Sequence, residues 1–102
     1  MQPIIEGRRA KLAKLCRRFH VRRLDVFGSA ASRAFDSSRS DVDFLVEFDP
    51  DSPDRAFDDY FGFKEALESL FGRPVDLVMA DAVENPYLRA SIERTRQTVY
   101  GS

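Results

Sequence analysis

The stretch Asp41-Val42-Asp43-Phe44-Leu45-Val46-Glu47-Phe48 alternates apolar with mostly acidic residues. Successive side chains of a strand point to opposite faces. Val42, Phe44, Val46 and Phe48 therefore share one face, and Asp41, Asp43, Leu45 and Glu47 share the other. This period of two predicts a strand with one face against a core. On the other face two carboxylates lie about 7 Å apart at their β-carbons. Such a pair is unfavourable unless it is well solvated, one acid is protonated, or a divalent cation offsets the repulsion. Taken alone, the two acids read as the wet face of a strand, with Glu47 continuing the row.

Upstream, Val21 to Gly28 is a short apolar strand stopping at Gly28-Ser29. A glycine there lets backbone approach a ligand closely, and N–H groups at the start of a following helix attract phosphate. An ordinary strand-to-helix turn capped by Ser29 fits equally well. Ahead of this strand, Ile5, Leu12, Leu15, Cys16 and Phe19 recur at helical spacing among basic residues and predict an amphipathic helix. Ala30 to Phe35 suits a helical turn, and Asp36 to Ser40 has the composition of a loop.

Downstream, Ser52, Pro53 and Asp54 form the start signal of a helix running to about Phe71, where Gly72 and Pro74 stop it. Its aromatic stripe, Phe57 to Phe71, is read as core, with any exposed surplus suited to an interface. Val75 to Met79 is a further strand, and Asp76 inside it would be costly to bury unpaired. An arginine could satisfy it. If this strand adjoins residues 41–48, its carboxylate could instead join the other two around a shared metal. A connection over Asp81 to Pro86, a helix over Tyr87 to Arg94 and an edge strand over Thr98 to Tyr100 complete the order. The expected fold is α/β (α+β): a small mixed sheet flanked by helices, with residues 1–102 as one domain.

Composition narrows the function classes. The 102 residues are 43% hydrophobic and 32% charged, as in a soluble globular domain, and hold no apolar run of membrane-spanning length. With no secretion signal at the start, the expected location is cytoplasmic. The single cysteine, Cys16, excludes an internal disulfide and a cysteine-built zinc site, so any metal would take oxygen ligands. Cys16 reads as a small core residue, and His20 as a helix-end residue without a catalytic role. The overall charge of −1 hides a basic segment over 1–23 and an acidic one over 41–81. The basic helix is expected to be a solvated face or to dock on an acidic partner surface; direct nucleic-acid binding ranks below both.

Phe27-Gly28-Ser29-Ala30-Ala31 followed by Asp41-Val42-Asp43, with eleven residues between Ser29 and Asp41, resembles the Gly-Ser…Asp-x-Asp signature of the DNA polymerase beta-like nucleotidyltransferases. More narrowly, the chain resembles the minimal nucleotidyltransferase (MNT) domain proteins, antitoxins paired with helical HEPN toxins. The resemblance spans nearly the full length. It implies that Gly28 and Ser29 hold a nucleotide triphosphate and that Asp41 and Asp43 bind magnesium, two ions in all. Asp76 would be the third acid, a metal ligand that also polarises the attacking hydroxyl. The implied activity is magnesium-dependent transfer of AMP from ATP to a hydroxyl, a tyrosine, of a cognate HEPN ribonuclease toxin, as in a type VII-like antitoxin. The family pattern commonly continues Gly-Ser-x-Ala-Arg-Gly, whereas here Ser32-Arg33 displaces the arginine by one residue and removes the glycine. That departure supports an alternative, an antitoxin that neutralises by binding alone.

Overall fold

The computed structural model describes residues 3–28, 42–50 and 56–101. Helices α1 (Pro3–Glu6) and α2 (Arg9–Arg18) lead into strand β1 (Val21–Phe27). Strand β2 (Val42–Phe48), helix α3 (Ala56–Phe71) and strand β3 (Val75–Met79) follow. A 3-10 turn (Ala80–Ala82), helix α4 (Pro86–Thr95) and strand β4 (Gln97–Tyr100) close the order. The helical turn expected over Ala30 to Phe35, the loop over Asp36 to Ser40 and the cap at Ser52 lie outside the described residues.

The leading amphipathic segment is two helices, not one, broken at Gly7-Arg8; glycine is a poor helix former. Helix α4 starts one residue earlier than its sequence pattern suggests. Asn85 caps it, its Oδ1 accepting the Tyr87 N–H at 2.8 Å and the Leu88 N–H at 3.3 Å, with Pro86 in the first position. Gly62, unfavourable within α3 by propensity, has a packing reason: a Cβ there would lie 2.7 Å from the Phe19 ring.

Among the described residues four strands form one mixed sheet in the order β3-β2-β1-β4. β1 pairs antiparallel with β2 and β4, and β2 pairs parallel with β3. On one face Leu24, Val26, Val42, Phe44, Val46, Val75 and Leu77 are buried with Leu12 and Cys16 of α2 and Phe63, Leu67 and Phe71 of α3. Each such aliphatic or aromatic side chain contributes about 1.5–3 kcal/mol of burial free energy. His20, at φ 63, turns the chain from α2 into β1, and its Nδ1 lies 3.0 Å from Asp59 Oδ2 on α3.

The opposite face is not wholly wet. Leu45, grouped with the acids by the alternation of β2, is buried with Phe27, Val83 and Ile92 under α4 and the 3-10 turn. Helices therefore cover both faces, with α4 covering only part of the second. Beside this small core, Asp25 of β1 is completely buried. Arg96 Nε donates to its Oδ2 at 2.7 Å, and Arg23 Nε donates to its Oδ1 at 3.1 Å. Burial works against the charge on Arg96, but hydrogen bonds to Asp25 and Glu93 outweigh it and hold the guanidinium above its ordinary pKa. Among the described residues no helix is long and apolar enough to cross a membrane.

Two predictions follow from this packing. Arg96→Leu leaves the buried Asp25 carboxylate with Arg23 alone and is expected to cost about 3 kcal/mol in urea denaturation, whereas Asp25→Leu combined with Arg96→Leu should cost less than the single change. The second concerns Cys16, whose thiol is pushed by burial from 9.0 to about 12. Ionisation is thus easier in the unfolded chain, so this contribution to stability is complete below pH 9.0 and declines as pH rises towards about 12. Native protein at pH 8 should accordingly resist thiol alkylation that goes to completion in denaturant.

Candidate functional site

Two of the three carboxylates singled out in the sequence, Asp43 and Asp76, are set opposite one another by sheet register. Phe27 is opposite Asp43 in the β1–β2 ladder, and Asp43 is opposite Asp76 in the β2–β3 ladder. Residues directly opposite on neighbouring strands project to the same face, with Cα atoms about 5 Å apart. Asp43 and Asp76 therefore stand side by side, with Phe27 opposite Asp43 on β1 and Gly28 just past the end of that strand. Val42 and Phe44, flanking Asp43, are both fully buried on the other face and fix this orientation.

Asp76 corrects one expectation from the sequence. Its apolar neighbours suggested a carboxylate in the interior needing a partner, but β3 is an edge strand and Asp76 is exposed while Val75 and Leu77 are buried. No burial penalty arises. Asp43 is half-buried. Asp41 and Ser29 lie outside the described residues, as does the Ser32-Arg33 departure.

Gly28 joins the pair by contact. Its φ is +68, a conformation that costs a residue with a side chain roughly 1–2 kcal/mol. A Cβ built on it would lie 2.8 Å from Asp43 Oδ2, so the carboxylate occupies the space that a side chain would need. Its amide N–H donates to Thr95 Oγ1 at 2.9 Å, and the Thr95 hydroxyl donates to the Ser91 carbonyl at 2.8 Å. In this arrangement Gly28 offers its bare Cα, since its N–H is already engaged.

Chemically, the pair presents oxygen donors only. Among the described residues no group of three or more His, Cys, Asp or Glu side chains gathers as a metal site; Asp43 and Asp76 supply two carboxylates. Such a set suits a hard cation such as magnesium, and the exposure of Asp76 leaves the pair open to a large second molecule.

Sequence reasoning missed two contributors. Asp25 within Leu24-Asp25-Val26-Phe27 carries the signal that singled out Asp76, an acid inside an apolar strand. Thr95 gave no local signal, because its role depends on which strand β4 joins.

A sequence profile of the nucleotidyltransferase domain matches residues 9–99. A protein of Methanocaldococcus jannaschii named as a candidate protein adenylyltransferase is 37% identical over 76 residues, 74% of each chain. A solved structure described as that of a candidate minimal nucleotidyltransferase superposes with a TM-score of 0.72 at 36% identity, covering 90% of this chain and 89% of the other. The fold is also shared, with a TM-score of 0.63 at 18% identity, by a complex of a tri-AMPylated Shewanella oneidensis HEPN toxin with an MNT antitoxin, covering 96% of this chain and 73% of that one.

Two glycine substitutions separate backbone strain from contact with Asp43. Gly72 has φ +66 with nothing within 4 Å of an added Cβ, so Gly72→Ala should cost only the strain, roughly 1–2 kcal/mol. Gly28→Ala carries the same strain and must also displace the Asp43 carboxylate, so its loss in urea denaturation should be clearly larger. Equal losses would mean that the carboxylate moves aside freely.

Proposed function

Because the chain belongs to the nucleotidyltransferase domain family, we propose that it moves AMP from ATP, with magnesium, onto a tyrosine hydroxyl of a cognate HEPN ribonuclease toxin. The observation that carries this reading is the pairing of Asp43 with Asp76 on adjacent strands, with Gly28, just past β1, against the Asp43 carboxylate. The fold shared with an MNT antitoxin complexed to a tri-AMPylated HEPN toxin supports the choice of acceptor.

In this reading Asp41, Asp43 and Asp76 hold magnesium, and Gly28 and Ser29 receive the triphosphate. The cation would neutralise charge on the phosphates and on the attacking and leaving oxygens. The acceptor oxygen forms a bond to the α-phosphorus while the bond to the bridging oxygen breaks, and pyrophosphate leaves. Asp76, exposed at the sheet edge, polarises the incoming hydroxyl and takes up its proton. Asp43, held between the Gly28 Cα and the β3 neighbour, supplies a fixed carboxylate. Catalysis then consists largely of positioning and charge stabilisation, as phosphoryl chemistry requires.

The test incubates the protein with labelled ATP, magnesium and the HEPN protein. Label should pass to the toxin and disappear in Tyr→Phe variants of the acceptor. Asp41→Ala with Asp43→Ala should lower transfer by at least about 100-fold, since even residues that only support metal ligands are worth 10–100-fold, yet leave the complex intact. The displaced arginine at Ser32-Arg33 favours a second reading, neutralisation by binding alone. A tight complex with no label transfer from the unmodified protein would establish that reading and overturn the first.

A further inference from the structure

We propose that Thr95 is a positioning residue for the nucleotide, holding the Gly28 amide so that the glycine keeps its place beside Asp43, where the triphosphate is received. The inference rests on the nucleotidyltransferase reading and extends it to a residue outside the Gly-Ser and Asp-x-Asp motifs.

Three observations converge on the hydroxyl. The β1–β4 ladder pairs Asp25 with Thr98 and Val26 with Gln97. Continuing that antiparallel register by two places sets Gly28 opposite Thr95. Thr95, however, is the last residue of α4, so the ladder cannot continue as backbone pairing there. Its side-chain oxygen takes the place of a ladder carbonyl and accepts the Gly28 N–H at 2.9 Å.

Second, the orientation of the hydroxyl is fixed. A threonine hydroxyl has one proton, and it is directed to the Ser91 carbonyl one helical turn back, at 2.8 Å. Towards Gly28 the oxygen can therefore only accept.

Third, Gly28 is confined on two sides. Thr95 holds its amide, and the Asp43 carboxylate stands where a Cβ would be. Peptide rotation that released the amide would also shift the Cα against Asp43. Thr95 thus couples the glycine turn to the metal-binding strand. The base of α4 is itself anchored, because Arg96, the next residue, bonds the buried Asp25.

Thr95→Val keeps the shape and removes the acceptor, whereas Thr95→Ser keeps the acceptor. Binding of magnesium AMP-PNP to the full chain provides a readout that needs no acceptor protein. Thr95→Val should raise the dissociation constant and the KM for ATP on the order of tenfold, the worth of about one hydrogen bond with its unsatisfied donor, with a smaller change in kcat. Thr95→Ser should bind within about threefold of the unsubstituted protein. The Gly28 amide proton resonance should move upfield in the valine variant and stay in place in the serine variant. If Thr95→Val does not fold, Thr95→Ala makes the same comparison. The proposal is overturned if the valine and alanine variants bind AMP-PNP like the unsubstituted protein, or if serine weakens binding as much as valine. Failure of the unsubstituted protein to bind magnesium AMP-PNP would instead defeat the underlying functional reading, and this proposal with it.

Discussion

Val42, Phe44 and Val46 are all fully buried beneath α2 and α3, and the placement of the acids depends on that burial. A strand offers two faces, so committing these three to the core commits Asp43 to the other side. A slip of one residue would bury the carboxylate and expose three large apolar groups, costing several kcal/mol on either count. The hydrophobic core thereby fixes the orientation of a carboxylate on the opposite face of the strand. Parallel pairing with β3 extends the constraint, because Val75 and Leu77 are buried on the same side as Val42 and Phe44 and so turn Asp76 towards Asp43.

The second face is divided between a covered part and an open, acidic part. Near its middle, Leu45 is buried with Ile92 of α4, and Asp25, its partner across the ladder, is fully buried with two arginines. At the end where β1 finishes and β2 and β3 begin, Asp43 is half-buried and Asp76 exposed. Asp25 is a carboxylate whose charge is matched within the protein. Asp43 and Asp76 are like charges side by side, an arrangement better suited to holding a cation than to stabilising the fold.

Much of this was legible in the sequence, and the omissions have physical causes. Strand β2 was recognisable because its alternation is nearly uninterrupted, and α3 because its apolar stripe is long and ends at Gly72-Arg73-Pro74. Leu45 shows the limit of alternation: the period gives the face but not whether another layer covers it. Asp76 could be picked out, but its exposure could not be read, since that depends on β3 being an edge strand. The Gly28–Thr95 hydrogen bond joins residues 67 apart in sequence and follows from the β1–β4 pairing, which no local pattern encodes.

That separation also bears on when the protein becomes competent. β1 is sandwiched between β2 and β4, and its hold on β4 through Asp25 and Arg96 spans 71 residues. Loop closure over such a distance comes late compared with helix formation or a local strand pair. During synthesis, the acidic strand would therefore emerge from the ribosome well before the segment that clamps the glycine turn. A nascent chain could display its carboxylates early, but the Gly28 amide would lack its acceptor until Thr95 and the strand after it had docked.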